Sequence, residues 1–481
     1  MEKLLFEKSR PGRVGYTLPK LDVNPADLNS AIPDYLIRKE SANLPEISEN
    51  EVARHFLRLS HLNYSIDQGF YPLGSCTMKY NPKINEVVSG LPGFAYLHPS
   101  SREDHSQGAL EIMYELGELL KEVSGFTGCT LQPAAGSQGE FTGISMIRAY
   151  HEARGDHKRR KILIPDAAHG TNPASAAIAG FEIVELKSNE FGRVDLDDIR
   201  SKVGDDVAGF MLTNPNTVGI FEKEIKEIEK LIHGCGGLMY MDGANLNALL
   251  GIVRPGDLGF DCMHINLHKT FSTPHGGGGP GSGPVCVNDK LIPFLPIPVI
   301  EKKDDKFSLV FDRSQTIGKI HSFFGNFGMF VRAYTYIRMH GGEGLRSVSE
   351  NAIINANYIR ALIKDNYKMP YNEYGMHEFV ISADNQKEHG VSAKDIAKRL
   401  LDYGFHAPTI YFPLIVHECM LIEPTETEAK ENLEEFAEVM NKIAMEARET
   451  PEVVINAPTT TPVRRVDDAL AARKLNIRWT K

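Results

Sequence analysis

The sequence is short of several things, and each shortage excludes a class of protein. Tryptophan occurs once and cysteine six times in 481 residues. The cysteines, Cys76, Cys129, Cys235, Cys262, Cys286 and Cys419, lie far apart and form neither a CxxC pair nor a metal-ligand spacing. A disulfide framework and a cysteine-ligated metal are therefore not expected, and thiols this sparse read as reduced. Positive charge is not in excess: 53 Lys and Arg stand against 63 Asp and Glu, a formal net charge of −10. Such a field disfavours nucleic acid and anionic membranes as partners. The one basic run, His157 to Lys161, precedes an apolar stretch and reads as a solvated helix end. Long apolar runs are missing as well. Ile292–Ile300 and Thr409–Val416 are short and broken by proline, well below the roughly 20 residues needed to cross a bilayer. The first eight residues, Met-Glu-Lys-Leu-Leu-Phe-Glu-Lys, lack the apolar core of a signal peptide. The expectation is a cytoplasmic protein without metal.

What is present is a long, ordinary globular chain. At roughly 100–200 residues per domain, its length predicts two or three domains. Residues 1–85 are rich in Pro, Asn and charge and read as an extended arm. Over 86–330, short apolar runs alternate with helical patterns. Lys161–Pro165, Phe181–Leu186, Val207–Thr213, Gly237–Asp242, Cys262–Leu267 and Pro284–Val287 read as strands. Residues 107–125, 140–153, 174–179 and 223–233 read as helices; in the second, Phe141, Ile144 and Ile147 share one face. That alternation predicts an α/β domain with a mostly parallel sheet flanked by helices. Helices are expected over 329–339, stopped by Gly341-Gly342, and over 348–365. A smaller α+β domain then fills 331–458, with strands at 378–382 and 419–422 and helices at 393–403 and 426–446, before a basic tail, 459–481.

The chemistry centres on Asn266-Leu-His-Lys-Thr-Phe271. A lysine at the end of an apolar strand is unusual because burying an ammonium is costly. Taken alone, Lys269 fits a snorkelling side chain as well as a reactive amine that holds an aldehyde cofactor. Its neighbours along the chain move that balance. Pyridoxal phosphate needs an acid at its ring nitrogen, a phosphate cup, a flat group against the ring and a polar group at the phenolic oxygen. Asp242 ends an apolar strand 27 positions before Lys269, one strand–helix–strand step, so both reach the carboxyl edge of one sheet. Gly136, Ser137 and Gln138 open a helix whose N–H groups suit a phosphate. His169 follows a strand and is placed to stack. Thr213 and Asn214 begin Thr-Asn-Pro-Asn-Thr217 after the next strand. Each signal alone is weak, since a Ser N-cap, a loop histidine and an Asn-Pro turn all have plain structural uses. The ordered set at successive strand ends is specific. Gly276–Gly283 does not link a strand to a helix with an acid about 20 residues on, so a dinucleotide fingerprint is rejected.

These residues resemble those of fold-type I pyridoxal phosphate enzymes of the aspartate aminotransferase kind. Within them they are similar to the glycine decarboxylase (P-protein) of the glycine cleavage system. The resemblance rests on Tyr71–Pro82, Ala168–Ala174, Thr213–Thr217, Asp242–Asn245, Asn266–Phe271 with His275–Gly281, Gly325–Gly328, Pro408–Pro413, Glu423–Thr427 and Thr461–Arg465, and covers about residues 10–481. Single-chain members run about twice as long as two similar halves; this chain resembles the lysine-bearing half, the second subunit of the split form. The resemblance implies an aminomethyl-transferring glycine dehydrogenase that decarboxylates glycine and passes the aminomethyl group to lipoylated H-protein. It further implies an α2β2 assembly with a related first subunit. Lys269, His169, Asp242 and His268 would be catalytic, and Asn245 and Thr270 would join the cofactor-binding set. Ser100–Gln107 is more polar than the family pattern. A self-sufficient aminotransferase or amino-acid lyase is the rival. An aminotransferase needs an arginine for a second carboxylate, and Arg332 is the obvious C-terminal candidate. A catalytically silent scaffold is the third reading, and retention of both Lys269 and Asp242 opposes it.

Overall fold

The computed structural model describes residues 2–98, 101–276 and 280–478. Ser100, the glycines 277–279 and the last three residues of the basic tail lie outside that range. The chain forms two compact units, one ending at Gln68 and one starting at Gly69.

The first unit is mostly extended, with one long helix, Glu49–Ser60. Tyr16, Leu18 and Tyr35 are 78–84% exposed, so this unit buries little apolar surface of its own.

The second unit is built on a seven-stranded sheet. Its strands are β1 (Gly128–Thr130), β2 (Lys161–Pro165), β3 (Glu182–Leu186), β4 (Val207–Thr213), β5 (Leu238–Gly243), β6 (Cys262–Ile265) and β7 (Val285–Val287), in the order β1-β7-β6-β5-β4-β2-β3. Pairs from β3 through β6 are parallel; β7 is antiparallel to β6 and β1. β4, β5 and β6 are buried along their whole length, which is why their sequence is apolar without alternation. β3 is an edge strand and carries Glu182 and Glu185 toward solvent, which discourages pairing with another chain.

Helices α1 (Gln107–Ser124), α2 (Gly136–Ala153), α3 (Thr171–Ile178), α4 (Leu196–Lys202) and α5 (Ile225–Gly234) connect and cover these strands. α6 (Phe327–Ile363) bends at Gly341, whose φ of 60° and ψ of −174° leave the helical region. The Gly-Gly pair therefore interrupts the helix as the sequence predicts, but the helix resumes at once. A hairpin, β8 (Val299–Lys303) and β9 (Lys306–Val310), precedes it. A three-stranded antiparallel sheet follows, β10 (Phe379–Ser382), β11 (Thr409–Ile410) and β12 (Cys419–Ile422), in the order β10-β12-β11. Helices α7 (Ala393–Asp402) and α8 (Lys430–Glu449) pack on it through Ile396, Leu400, Phe436 and Met440.

Every strand expected from an apolar run is present within one or two residues. Some bounds and elements differ. α8 spans Lys430–Glu449 rather than 426–446, and α3 spans Thr171–Ile178 rather than 174–179. α2 starts at Gly136 rather than at 140, so Gly136, Ser137 and Gln138 form its first turn. β1 and the β8–β9 hairpin have no counterpart in the sequence reading: β1 has only three residues, and three of the five residues of Val299–Lys303 are charged. No described helix is long and apolar enough to cross a membrane.

Candidate active site

The carboxyl ends of β2, β4, β5 and β6 carry the loops that meet around one buried carboxylate. Asp242 lies in β5, with a side chain 1% exposed. Its Oδ1 accepts the Ala244 N–H at 2.9 Å and lies 3.3 Å from His264 Nε2; its Oδ2 lies 3.1 Å from His169 Nδ1. Burial by itself would raise the Asp242 carboxyl. The imidazoles of His264 and His169 and the ammonium of Lys269 outweigh it and hold the group at about 2. Asp242 is thus a fixed anion at the centre of the sheet edge.

His169 links this anion to a second segment. Its Nε2 is 2.5 Å from Ser75 Oγ. Burial lowers the His169 pKa, so the ring is neutral, with Nδ1–H donated to Asp242 and Nε2 accepting from the Ser75 hydroxyl. Phe412 lies against the ring at 5.8 Å between centroids and 29° between planes. Lys269 occupies a single helical turn, Leu267–Thr270, directly after β6. The residue is 9% exposed, and its Nζ donates to the Ser75 carbonyl at 2.9 Å. One serine therefore touches both Lys269 and His169, and through His169 reaches Asp242.

The remaining expected residues fall around this chain of contacts. Thr213, Asn214, Asn245 and Thr270 are buried, and Thr213 Oγ1, Asn214 Nδ2, Asn245 Oδ1 and Thr270 Oγ1 have no hydrogen-bond partner among the described residues. Asn214 Oδ1 accepts from the Glu222 N–H, and Asn245 Nδ2 donates to the Pro215 carbonyl at 2.9 Å. His268 sits beside Lys269 with Nδ1 buried and unpartnered; burial and the lysine charge bring it to about 3. Gln138 caps its own loop, Oε1 accepting from Ala134 N–H at 2.6 Å, while Ser137 is exposed. A Cβ on Gly136 would stand 2.4 Å from Asn266 Nδ2, so a side chain there would displace that amide. Arg332, the rival reading's carboxylate clamp, is held by both Glu86 oxygens at 2.8 and 2.7 Å.

Several members of the site carry no motif that single-sequence reading would pick out. Glu140, on α2, accepts from Thr171 Oγ1 at 2.9 Å and Ser175 Oγ at 3.1 Å. Asn172, its amide nitrogen oriented by the acceptors around it, bridges Glu140 Oε2 (3.1 Å) and Asp242 Oδ2 (3.2 Å). Burial and the Asp242 charge push Glu140 to about 8. His377, Glu378 and Glu423 form a second buried group; neither His377 nitrogen has a hydrogen-bond partner among the described residues, and Nε2 lies 3.6 Å from Glu423 Oε1. For Ser75, Asn172 and Glu423 a signal exists, since all three lie in segments that carry the family resemblance. For Glu378 none does.

These residues fit pyridoxal phosphate. A buried amine, a fixed carboxylate, the first turn of α2 opened by a glycine, and unpartnered buried hydroxyls at Thr213 and Thr270 are the donors and acceptors that such a group would need.

Comparison with known proteins agrees with this fit. Residues 348–463 match the model of the glycine dehydrogenase C-terminal domain, and residues 142–279 match aminotransferase class-V. The chain is 60% identical over 483 residues to the "Probable glycine dehydrogenase (decarboxylating) subunit 2" of Chloroherpeton thalassium, covering 100% of this chain and 98% of that one. It is 56% identical over 480 residues to the protein of that name from Bacillus licheniformis, covering 100% and 99%. Among solved structures, glycine decarboxylase (P-protein) of the glycine cleavage system superposes with a TM-score of 0.73 at 20% identity, covering 86% of this chain and 94% of that one. Lactobacillus brevis glutamate decarboxylase gives 0.65 at 13% identity, covering 87% and 96%. The structural likenesses carry the fold alone; the full-length identity to curated relatives, on a chain that keeps the buried Lys269 and Asp242, makes this protein a member of the glycine dehydrogenase (decarboxylating) subunit 2 family.

Proposed function

We propose that this chain is the lysine-bearing subunit of a two-subunit glycine decarboxylase, which releases CO2 from glycine and passes the aminomethyl group to the lipoyl arm of H-protein. The observation that carries the reading is the series Lys269–Ser75–His169–Asp242, in which a buried amine and a fixed anion are joined through hydrogen bonds of Ser75 and His169. Lys269 supplies the amine that would hold pyridoxal phosphate. The cofactor, when bound, supplies an electron sink for the pair left as the carboxylate departs. Asp242, held at about 2, would keep a proton on the ring nitrogen of the bound cofactor. The first-turn N–H groups of Gly136, Ser137 and Gln138 would take the phosphate, and Thr213 and Asn214 the phenolic oxygen. Asn245 and Thr270 complete the polar lining. His169, neutral and held at both nitrogens, presents a flat ring. His268, neutral beside Lys269, would offer Nδ1 as a hydrogen-bond acceptor; at about 3 it is too weak a base to hold a proton, which the released Lys269 amine would move instead. Burial of these groups keeps water from the reacting carbon.

The working unit is an α2β2 assembly in the cytoplasm with a related first subunit, and lipoylated H-protein is the acceptor. The aminotransferase alternative is disfavoured because Arg332 is already paired with Glu86. The test has two parts. Borohydride reduction of the holoenzyme followed by peptide mapping is expected to leave a pyridoxyl group on Lys269, and an unlabelled Lys269 would sink the cofactor assignment. Labelled bicarbonate is expected to exchange into glycine only with H-protein and the first subunit present. Full exchange by this chain alone would sink the split-subunit reading.

A further inference from the structure

We infer that Glu378 and Glu423 are positioning residues for Lys269: they clamp the segment Ser75–Thr77 so that the Ser75 carbonyl stands as the acceptor for the lysine amine. The inference rests on the reading of Lys269 as the reacting amine.

The two carboxyls stand at one end of the small sheet. Phe379 on β10 pairs with Ile422 on β12, and Glu378 and Glu423 are the next residues beyond that pair. Both are 0–1% exposed. They take every backbone N–H of the segment. Ser75 N donates to Glu378 Oε2 at 2.7 Å, and Cys76 N and Thr77 N donate to Glu423 Oε2 at 3.1 and 2.9 Å. Thr77 Oγ1 adds a bond of 2.5 Å to Glu423 Oε1. Gly74 is fixed too, its carbonyl accepting from Thr409 Oγ1 at 2.8 Å, and Leu421 leaves no room for a Cβ on it.

The backbone needs such a clamp. Ser75 and Thr77 have φ of 65° and 49°, a left-handed conformation that neither side chain favours. In that conformation the amides turn toward the glutamates, the Ser75 carbonyl receives Lys269 Nζ, and its hydroxyl reaches His169. Two buried carboxylates this close do not both ionise. Burial raises both, and raises Glu378 well above its usual range, so the pair shares one charge opposite Lys269, steadied by the N–H and O–H donors of Ser75, Cys76 and Thr77. A segment needing only structural support would be served by neutral side chains. One charge here also gives the free amine an electrostatic reason to stay at Ser75.

The test uses the full chain without cofactor and reads acetylation of Lys269 by acetic anhydride, by peptide mass spectrometry, relative to the exposed Lys364. Lys79 is the internal control. It is buried in the same stretch but is held by Glu426, Asn247 and the Thr270 carbonyl instead. Glu378→Gln and Glu423→Gln are each expected to speed Lys269 acetylation at least fivefold with Lys79 unchanged. Ser75→Gly in the Glu378→Gln background, which makes the left-handed backbone cheap, is expected to return Lys269 to within twofold of the parent. Unchanged Lys269 labelling in both Gln variants overturns the inference. So does a parallel rise at Lys79, which marks a general structural role, and so does failure of the glycine to restore protection. Failure of the cofactor assignment would appear separately, as a missing pyridoxyl label in the unmutated holoenzyme.

Discussion

Asp242 and Glu140 share one buried pocket, bridged by Asn172, yet hold their protons oppositely. Asp242 faces two imidazoles and a lysine; Glu140 faces Asp242. The consequence for stability has a definite sign. A carboxyl whose folded pKa is raised contributes fully below its unfolded value, near 4.5, and that contribution is lost as pH rises through about 8. Glu140→Gln in the cofactor-free chain is expected to flatten the fall in unfolding free energy between pH 6 and 9 by about 1–2 kcal/mol, measured by urea titration at several pH values. An unchanged slope would mean that Glu140 is already ionised at pH 6. Asp242→Asn removes the fixed anion. Bicarbonate exchange is expected to fall by about 10²–10³-fold, the range for loss of one preorganised electrostatic partner, with the fold retained by circular dichroism.

At the scale of elements, the approach of the loop after β6 to the start of α2 depends on glycine. A Cβ on Gly283 would stand 2.2 Å from the Ala135 carbonyl, immediately before the α2 turn proposed to take phosphate. Gly283→Ala is expected to cost about 1–3 kcal/mol from overpacking and to weaken pyridoxal phosphate binding, followed by fluorescence titration. Retained affinity with normal stability would separate this loop from the cofactor. Lys79 ties another junction. Fully buried, it bonds Glu426, Asn247 and the Thr270 carbonyl, and so joins the segment after Tyr71 to the turn that carries Lys269. Lys79→Met leaves Glu426 charged and unpaired, with an expected loss of about 3–5 kcal/mol. Adding Glu426→Gln should recover part of it, and thermal unfolding of the single and double variants decides. The sequence shows Lys79 only as one more polar residue in a loop, because its partners are 168 to 347 positions away.

For the whole molecule, the balance of buried charge predicts weakness toward alkaline pH. His233, on α5, bonds Asp261 Oδ2 and Glu229 Oε1, each at 2.7 Å. The Asp261 bond first, and then the carboxylate charges, raise its pKa. A raised histidine contributes fully below its unfolded value near 6.5 and loses that contribution as pH rises through the folded value. It therefore acts in the same direction as Glu140. The thermal midpoint should drop from pH 6 to pH 9, and His233→Gln should lessen the drop; a midpoint that rises over that interval would refute both assignments.

The sequence by itself determined the α/β class and the strands β2 to β7, and it picked out Asp242, His169, Thr213, Asn214 and Lys269 as candidates at the strand ends. Those features are local: a run of apolar residues, the polar group that ends it, and one strand–helix–strand step between partners. The tertiary structure alone decided which groups face them. Ser75 lies 194 positions from Lys269, and Glu378 lies 303 positions from Ser75. No periodicity spans such distances, and the charge on a buried carboxyl depends on neighbours that only folding brings near. The start of α2 at Gly136 was hidden for a related reason: the glycine is favoured there by the Asn266 side chain packed against it, not by its own helix propensity.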